Sequence, residues 1–379
     1  MKASFEGLEL RGRHVLVRED LNVPMKNGRI TDDTRIGAAR PTLDKLKAMG
    51  ARTVVMSHLG RPKGKPNPEL SLRPVAEKMG IRFVDDCLEP VGELREGEVA
   101  LLENVRFYPG DEADDPEFAR RLAAHAEDGI YVNDAFAASH RSHASVVGVA
   151  TYLPAYAGLL MLSELEALHR ALDEPRRPLV AVVGGAKVST KAGVLRHLLT
   201  RVETVIVAGA MANTFFKARG AEVGASLVED DAIEEAGEVE RDAGDKLVLP
   251  VDSIVARKPE PGETTRTAGV DGIDPGWMIL DIGPRSIELF KARLSGAGTI
   301  VWNGPVGVAE VPEFATGTRA IGAAIAASGA YSLVGGGDTA AAVEQLGLSG
   351  FSHISTGGGA TLEAMEGKEL PGVAVLKDV

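Results

Sequence analysis

Two glycine clusters carry the most legible chemistry in this chain. They are Val-Val-Gly-Gly-Ala-Lys-Val at 182–188 and Val-Gly-Gly-Gly-Asp-Thr at 334–339. Each follows an apolar run and precedes a helical pattern. Glycine lets backbone amides approach an anion, and a helix N-terminus turns its free N–H groups and dipole toward it. One cluster holds Lys187, a cation for phosphoryl oxygens. The other holds Asp338, a carboxylate for Mg²⁺. That pairing predicts a nucleotide-dependent phosphotransferase.

A second set of chemical residues follows apolar runs in the first half: Arg18-Glu19-Asp20-Leu21-Asn22, Ser57-His58-Leu59-Gly60-Arg61, Glu103-Asn104-Val105-Arg106 and Asn133-Asp134, leading to His140-Arg141-Ser142-His143. Arg35 follows Thr31-Asp32-Asp33-Thr34. In open α/β sheets, ligands bind at the carboxyl ends of strands. Arg35, His58, Arg61, Arg106 and Arg141 therefore come from separate loops that one sheet edge could gather. Converging guanidinium forks suit a phosphorylated, anionic small molecule. Taken singly, each is an ordinary solvated or ion-paired residue; the repeated placement after strands carries the functional interpretation. His58 and His143 could also ligate a metal, but no Cys or His-x-x-x-His spacing supports zinc.

In the second half, Lys187 and Lys191 stand four apart. On one helix face they would repel each other unless an anion, such as a polyphosphate, lay between them. Two exposed lysines at a helix start are the bland alternative, more natural for Lys191 than for Lys187. The segment Trp302-Asn303-Gly304-Pro305-Val306-Gly307-Val308-Ala309-Glu310 also follows an apolar run, and a Gly-Pro turn there could bring Asn303 and Glu310 to a nucleotide. Ser355-Thr356-Gly357-Gly358-Gly359 opens the last long helix. Gly335, Gly337 and Ala340 match the dinucleotide pattern G-x-G-x-x-A, but no ribose-binding carboxylate follows about 20 residues on. P-loop and serine-nucleophile signatures are absent.

Short Val/Ile/Leu-rich runs alternate with helical patterns along the whole chain and are expected to position these loops. They include 14–18, 52–57, 99–102, 130–133 and 145–149, then 179–183, 204–208, 277–282, 298–302 and 330–334. Continuous apolar runs of this kind predict parallel strands covered on both faces, and so two doubly wound, Rossmann-like α/β domains. The expected boundary is a helix near 160–172. Ser163 with Glu166 resembles a capping box, and Leu162, Leu165, Leu168 and Leu172 recur at helical spacing.

The 379 residues are enough for two cores, and the net charge of −12 argues against nonspecific nucleic-acid binding as the main task. Cys87 is the only cysteine, and the first residues lack the apolar core of a signal peptide. A cytoplasmic protein without disulfides or membrane spans is expected.

Together, the motifs at 18–24, 57–64, 101–108, 132–145, 184–191, 301–310, 335–339 and 355–368 resemble those of the phosphoglycerate kinases, in the same order and along nearly the whole chain. The resemblance implies reversible transfer of the acyl phosphate of 1,3-bisphosphoglycerate to MgADP, giving 3-phosphoglycerate and MgATP. By similarity, Asp20, Asn22, Arg35, His58, Arg61, Arg106 and Arg141 look like the phosphoglycerate site. Gly185, Ala186, Lys187, Lys191, Gly209, Asn303, Pro305, Val308 and Glu310 look like the nucleotide site. Gly335, Gly336, Gly337, Asp338 and Thr339 would hold the transferring phosphate, with Asp338 on Mg²⁺. Arg35, Lys187 and the helix starts at Gly337 and Gly359 would act on the migrating group.

The family also implies a monomer. Residues 1–158 would bind phosphoglycerate, 159–174 would form the joining helix, 175–369 would bind nucleotide, and the tail 370–379 would return to the first domain. The active site would lie in a cleft that closes by hinge motion near 161–172 and Thr356. A silent binding protein on the same fold would be expected to lack Arg35, Lys187 or Asp338. A nicotinamide oxidoreductase would need the missing ribose carboxylate. Ala208-Gly209-Ala210-Met211 and Ala309 depart from the family pattern near the adenine pocket, leaving base preference open, and 256–266 has no assigned role.

Overall fold

The apolar runs of the first half become parallel strands whose side chains are buried on both faces. In the computed structural model, which describes residues 1–379, these are β1 (His14–Arg18), β2 (Arg52–Met56), β3 (Arg82–Val84), β4 (Val99–Leu102), β5 (Ile130–Asn133) and β6 (Ala155–Ala157). They form one six-stranded sheet in the order β3-β4-β2-β1-β5-β6. Every pairing is parallel; Val15, for example, lies opposite Thr53 on one side and Ile130 on the other. The core gathers Val15, Val17, Val55, Leu101 and Val132, and helix α1 (Thr34–Ala48) adds Ile36, Leu43 and Leu46. The strand order reverses beside β1, between β1 and β5. That is the crevice where a doubly wound sheet takes its ligand.

Segment 145–149 does not form the expected strand. Its backbone is taken by tertiary partners: Ser145 N–H donates to Asp111 Oδ1 at 3.0 Å, and the Tyr131 hydroxyl donates to the carbonyls of Ser145 and Val146, both at 3.1 Å. β6 supplies the edge instead. The joining helix expected at 159–174 begins at its first residue, as α2 (Leu159–Leu168), so Ser163 lies inside it and forms no capping box. Its first turn is held by residues distant in sequence. Leu159 N–H donates to Thr42 Oγ1 at 2.9 Å, and Met161 N–H to Asp134 Oδ1 at 3.0 Å.

The chain divides into two units, Met1–Leu165 with Glu369–Val379, and Glu166–Lys368. The last residues belong to the first unit. Lys2 bridges Asp378 in antiparallel fashion, and Asn133 Nδ2 donates to Gly372 O at 2.9 Å.

The second unit repeats the principle. β7 (Leu179–Val183), β8 (Thr204–Val207), β9 (Leu247–Val248), β13 (Thr299–Asn303), β14 (Tyr331–Gly335) and β15 (His353–Ile354) form a parallel sheet in the order β9-β8-β7-β13-β14-β15. Its order reverses between β7 and β13. Trp302, Phe290, Val182 and Ile206 fill the core. The run at 277–282 is a strand, but not a central parallel one. β12 (Met278–Ile282) pairs antiparallel with β10 (Asp252–Ala256), which also pairs with β11 (Arg266–Gly269) in a separate three-stranded sheet. No helix is long and apolar enough to cross a membrane.

Candidate functional site

The loops after β1, β2, β4 and β5 bring the first unit's cations together. Arg18, the last residue of β1, is fully buried. Its Nε donates to Ser145 Oγ at 3.0 Å, and its Nη2 lies 3.1 Å from His58 Nδ1. A guanidinium can only donate, so Nδ1 accepts and the imidazole proton sits on Nε2. Burial, then Arg18, Arg106, Arg35 and His143, hold the His58 pKa well below its ordinary value. His143 is lowered to about 4 by burial, which outweighs the opposing pull of Asp111; Arg106, Arg18 and Arg141 lower it further. Both rings are neutral at neutral pH, and the positive charge of the patch is guanidinium charge.

That charge is concentrated. Arg106 is 5% exposed, and burial followed by the Arg18 charge lowers its pKa to about 10. Its Nη1 donates to Gly60 O at 3.2 Å, and the Gly60 N–H donates to Asn22 Oδ1 at 2.8 Å. Arg35, on the first turn of α1, forms an ion pair with Asp20. Arg141 is half-buried and donates through Nε to His140 Nε2 at 3.1 Å, while Arg61 is exposed. Asp20, Asn22, Arg35, His58, Arg106 and Arg141 thus converge, and exposed Arg61 follows Gly60 on the loop after β2. Sequence inspection missed Arg18 and Asp111 as supports. The signal for Arg18 was a charged residue ending an apolar strand.

In the second unit, the loops after β7 and β13 lock together. Gly184 N–H donates to Asn303 O at 2.9 Å and Gly185 N–H to Pro305 O at 3.1 Å. Gly209 N–H donates to Val306 O at 3.2 Å. Gly209 has φ +71°, and a Cβ there would stand 2.7 Å from the Gly185 backbone, so only glycine fits. Next to these loops is a cavity of about 480 Å³. Gly185, Ala186, Gly209, Pro305, Val308, Glu310 and Asp338 border it, with Phe216, Leu227, Met278 and Leu280 as its apolar wall. These last four were not foreseen, because isolated apolar residues carry no local signal of lining a cavity. Pro259 also borders it, which gives the unassigned segment 256–266 a place beside the site.

Lys187 and Lys191 do not share a helix face. Both lysines precede α3 (Ala192–Leu199), with Lys191 at its N-cap. Lys187 is exposed. Lys191 is the half-buried one, bonded through Nζ to Asn303 Oδ1 and, at 3.1 Å, to Asn303 O. Burial lowers its pKa to about 8, with Asp338 opposing. Asn303 Nδ2 is buried without a partner and faces Gly336. Thr339 Oγ1 accepts from Gly304 N–H at 2.6 Å and donates to Gly335 O at 2.7 Å, tying α4 (Gly337–Gln345) to the turn after β13. Gly337 and Asp338 occupy the first turn of α4, and Gly359 opens α5 (Gly359–Met365). Neither helix start has a side-chain cap, so its amides remain available to an anion.

The family model described as phosphoglycerate kinase matches residues 5–368. Curated phosphoglycerate kinases of Rubrobacter xylanophilus and Moorella thermoacetica are 54% and 50% identical to this chain, covering all of it and 98% and 99% of their own lengths. Among solved structures, phosphoglycerate kinase from Coxiella burnetii is 45% identical with a TM-score of 0.92, covering 99% of this chain and 98% of its own. That from Pyrococcus horikoshii is 34% identical with a TM-score of 0.86 over the same shares.

Proposed function

The chain belongs to the phosphoglycerate kinase family, and from that premise we propose a division of labour between its units. The first binds phosphoglycerate and the second binds ADP or ATP. The observation that carries this assignment is the contrast between the two sets of strand-end loops. One gathers buried guanidinium charge, with Arg106 lowered to about 10 by burial and then by the Arg18 charge. The other builds an apolar cavity beside glycine-rich helix starts.

In the first unit, Arg106, Arg141, Arg61 and the Nε2–H of His58 grip the phosphate and carboxylate of phosphoglycerate. Asp20 and Asn22 orient its hydroxyl side and hold Arg35 and Gly60. In the second, the base lies against the wall that includes Leu280, Gly209 and Val308, with Glu310 at the ribose. The phosphates meet Lys187, Lys191, Asn303 and the amides of Gly335, Gly336, Gly337 and Thr339. Arg35 and Lys187 stabilise the charge on the migrating phosphoryl group, helped by the amide ends at Gly337 and Gly359. No side chain needs to become phosphorylated.

Asp338 is an exposed carboxylate on the first turn of α4 and borders the cavity. No cluster of His, Cys, Asp or Glu forms a resident metal cage. One carboxylate plus nucleotide oxygens is a donor set that suits Mg²⁺. The ion would arrive with the nucleotide and neutralise its phosphate oxygens.

We further read the protein as a monomer of a reducing, cytoplasmic compartment, consistent with its single, buried Cys87. A silent binding protein is not favoured, because Arg35, Lys187 and Asp338 are all present.

Calorimetric titration of Arg61→Ala and Arg141→Ala with each ligand tests the division. The expected result is weakened 3-phosphoglycerate binding and unchanged MgADP binding. Equal losses for both ligands would overturn it.

A further inference from the structure

Asp281 lies on β12, is 2% exposed, and borders the cavity. Three segments meet at its carboxylate. Oδ1 accepts the N–H of Ile282 at 2.8 Å. Oδ2 accepts the N–H of Gly317 at 2.7 Å, in the first turn of the helix Thr316–Ala327. The third segment is the turn 304–308. A Cβ on Gly307 would stand 2.2 Å from Oδ1, and one on Gly317 would stand 2.3 Å from it. Both backbones reach the carboxylate only as glycine.

The turn is itself a wall of the cavity. Its carbonyls take the amides of Gly185 and Gly209, and Val308 N–H donates to Leu280 O at 2.9 Å. Val306 N–H donates to Thr318 Oγ1 at 3.2 Å, on the same helix that Asp281 holds. One buried carboxylate therefore sits where a strand, a helix start and the cavity turn pack on each other.

We propose that Asp281 is a positioning residue for the nucleotide, its ionised carboxylate setting the spacing of turn 304–308 and the helix start that shapes the cavity. The inference rests on assigning that cavity to the nucleotide. Burial pushes the Asp281 carboxyl up to about 7, and only the amides of Gly317 and Ile282 oppose this; no ionised side chain on β10, the turn or the helix contributes. When ionised, the group accepts both amides. When protonated, one oxygen carries the proton and becomes a donor, and it accepts its amide only weakly. The cavity is thus best ordered on the alkaline side of neutrality.

Adenosine is the probe, because it has no phosphate titrating near about pH 6. Calorimetric titration of the full chain should show adenosine affinity rising about tenfold between about pH 6 and about pH 8.5, the scale of one hydrogen bond to a charged group. Asp281→Asn should bind as the parent does at the acid end and be flat with pH. Its KM for 3-phosphoglycerate should stay within about twofold. A melting curve checks that the variant is folded; if it is not, the parent profile alone decides, and a flat one overturns the proposal. Ala210→Phe, which fills the cavity, separates the two claims. If it binds adenosine normally, the cavity assignment is wrong and this inference falls with it. If it abolishes binding while folded Asp281→Asn matches the parent at every pH, the role of Asp281 alone is refuted.

Discussion

The two lysines of the second unit show how environment separates residues of one type. Lys187 is exposed, with its charge acting on Glu229, whereas Lys191 is half-buried against Asn303. An exposed, mobile ammonium can follow a phosphoryl group in transit. Lys187→Ala should therefore lower kcat by about 10²–10³ with little change in either KM, as for loss of one preorganised transition-state donor. Near-parental turnover in a folded variant would refute this role. Lys191 has a different signature. Its pKa of about 8 reflects burial, with Asp338 pulling it upward. A polyanion beside it favours the ammonium and raises that pKa. ADP binding near about pH 8.5 should therefore take up as much as about three-quarters of a proton, and Lys191→Met should abolish the uptake. Calorimetry in buffers of different ionisation enthalpy measures it; zero uptake by the parent would mean that no phosphate approaches Lys191.

At the scale of elements, β1 and β5 carry a cost. Glu19 follows β1 and is fully buried, with both carboxyl oxygens unpartnered. Burial, then the charge of Asp134 after β5, pushes its pKa well above the usual range. Asp134 is itself raised to about 6 by burial, although it accepts the N–H of Met161 in the first turn of α2. For groups raised on folding, stability is fully present below the unfolded value near about 4 and is lost as pH rises through the folded value. The loss has a limiting slope of about 1.4 kcal/mol per pH unit for each proton. Glu19→Gln keeps the shape and removes the charge. Denaturant titrations should show parent and variant nearly equal near about pH 4 and the variant more stable by about 1–3 kcal/mol near about pH 8. Parallel losses in both proteins would show that Glu19 is not the source.

At the scale of the molecule, the proposed phosphoglycerate residues belong to one unit and the nucleotide residues to the other. Direct phosphoryl transfer needs reacting atoms about 3–3.5 Å apart and excludes water that would compete for the phosphoryl group. On that proposal each ligand alone would occupy one unit, and only both together would supply contacts that favour a closed state. X-ray scattering should show 3-phosphoglycerate and MgADP together reducing the radius of gyration more than either alone. An unchanged radius with both sites demonstrably filled would leave direct transfer without a route.

The sequence alone determined most of the parallel strands, the loops that follow them and the kinase family, because these are local or ordered patterns. Apolar runs of strand length, glycines before helices and charged residues after strands all lie within a few residues of each other. Tertiary structure decided everything that depended on distant partners. Segment 145–149 is apolar enough for a strand, yet Asp111 and Tyr131 take its backbone. The capping box at Ser163 does not form because the groups that hold the first turn of α2, Thr42 and Asp134, are not its sequence neighbours. Run 277–282 has the composition of a central strand, but pairs antiparallel because its partner is β10. The apolar cavity wall, the neutral state of His58 and the contrast between Lys187 and Lys191 likewise arise from packing. A residue's type limits the chemistry it can do, and the distant groups packed against it set its charge, its exposure and the ligand it can reach.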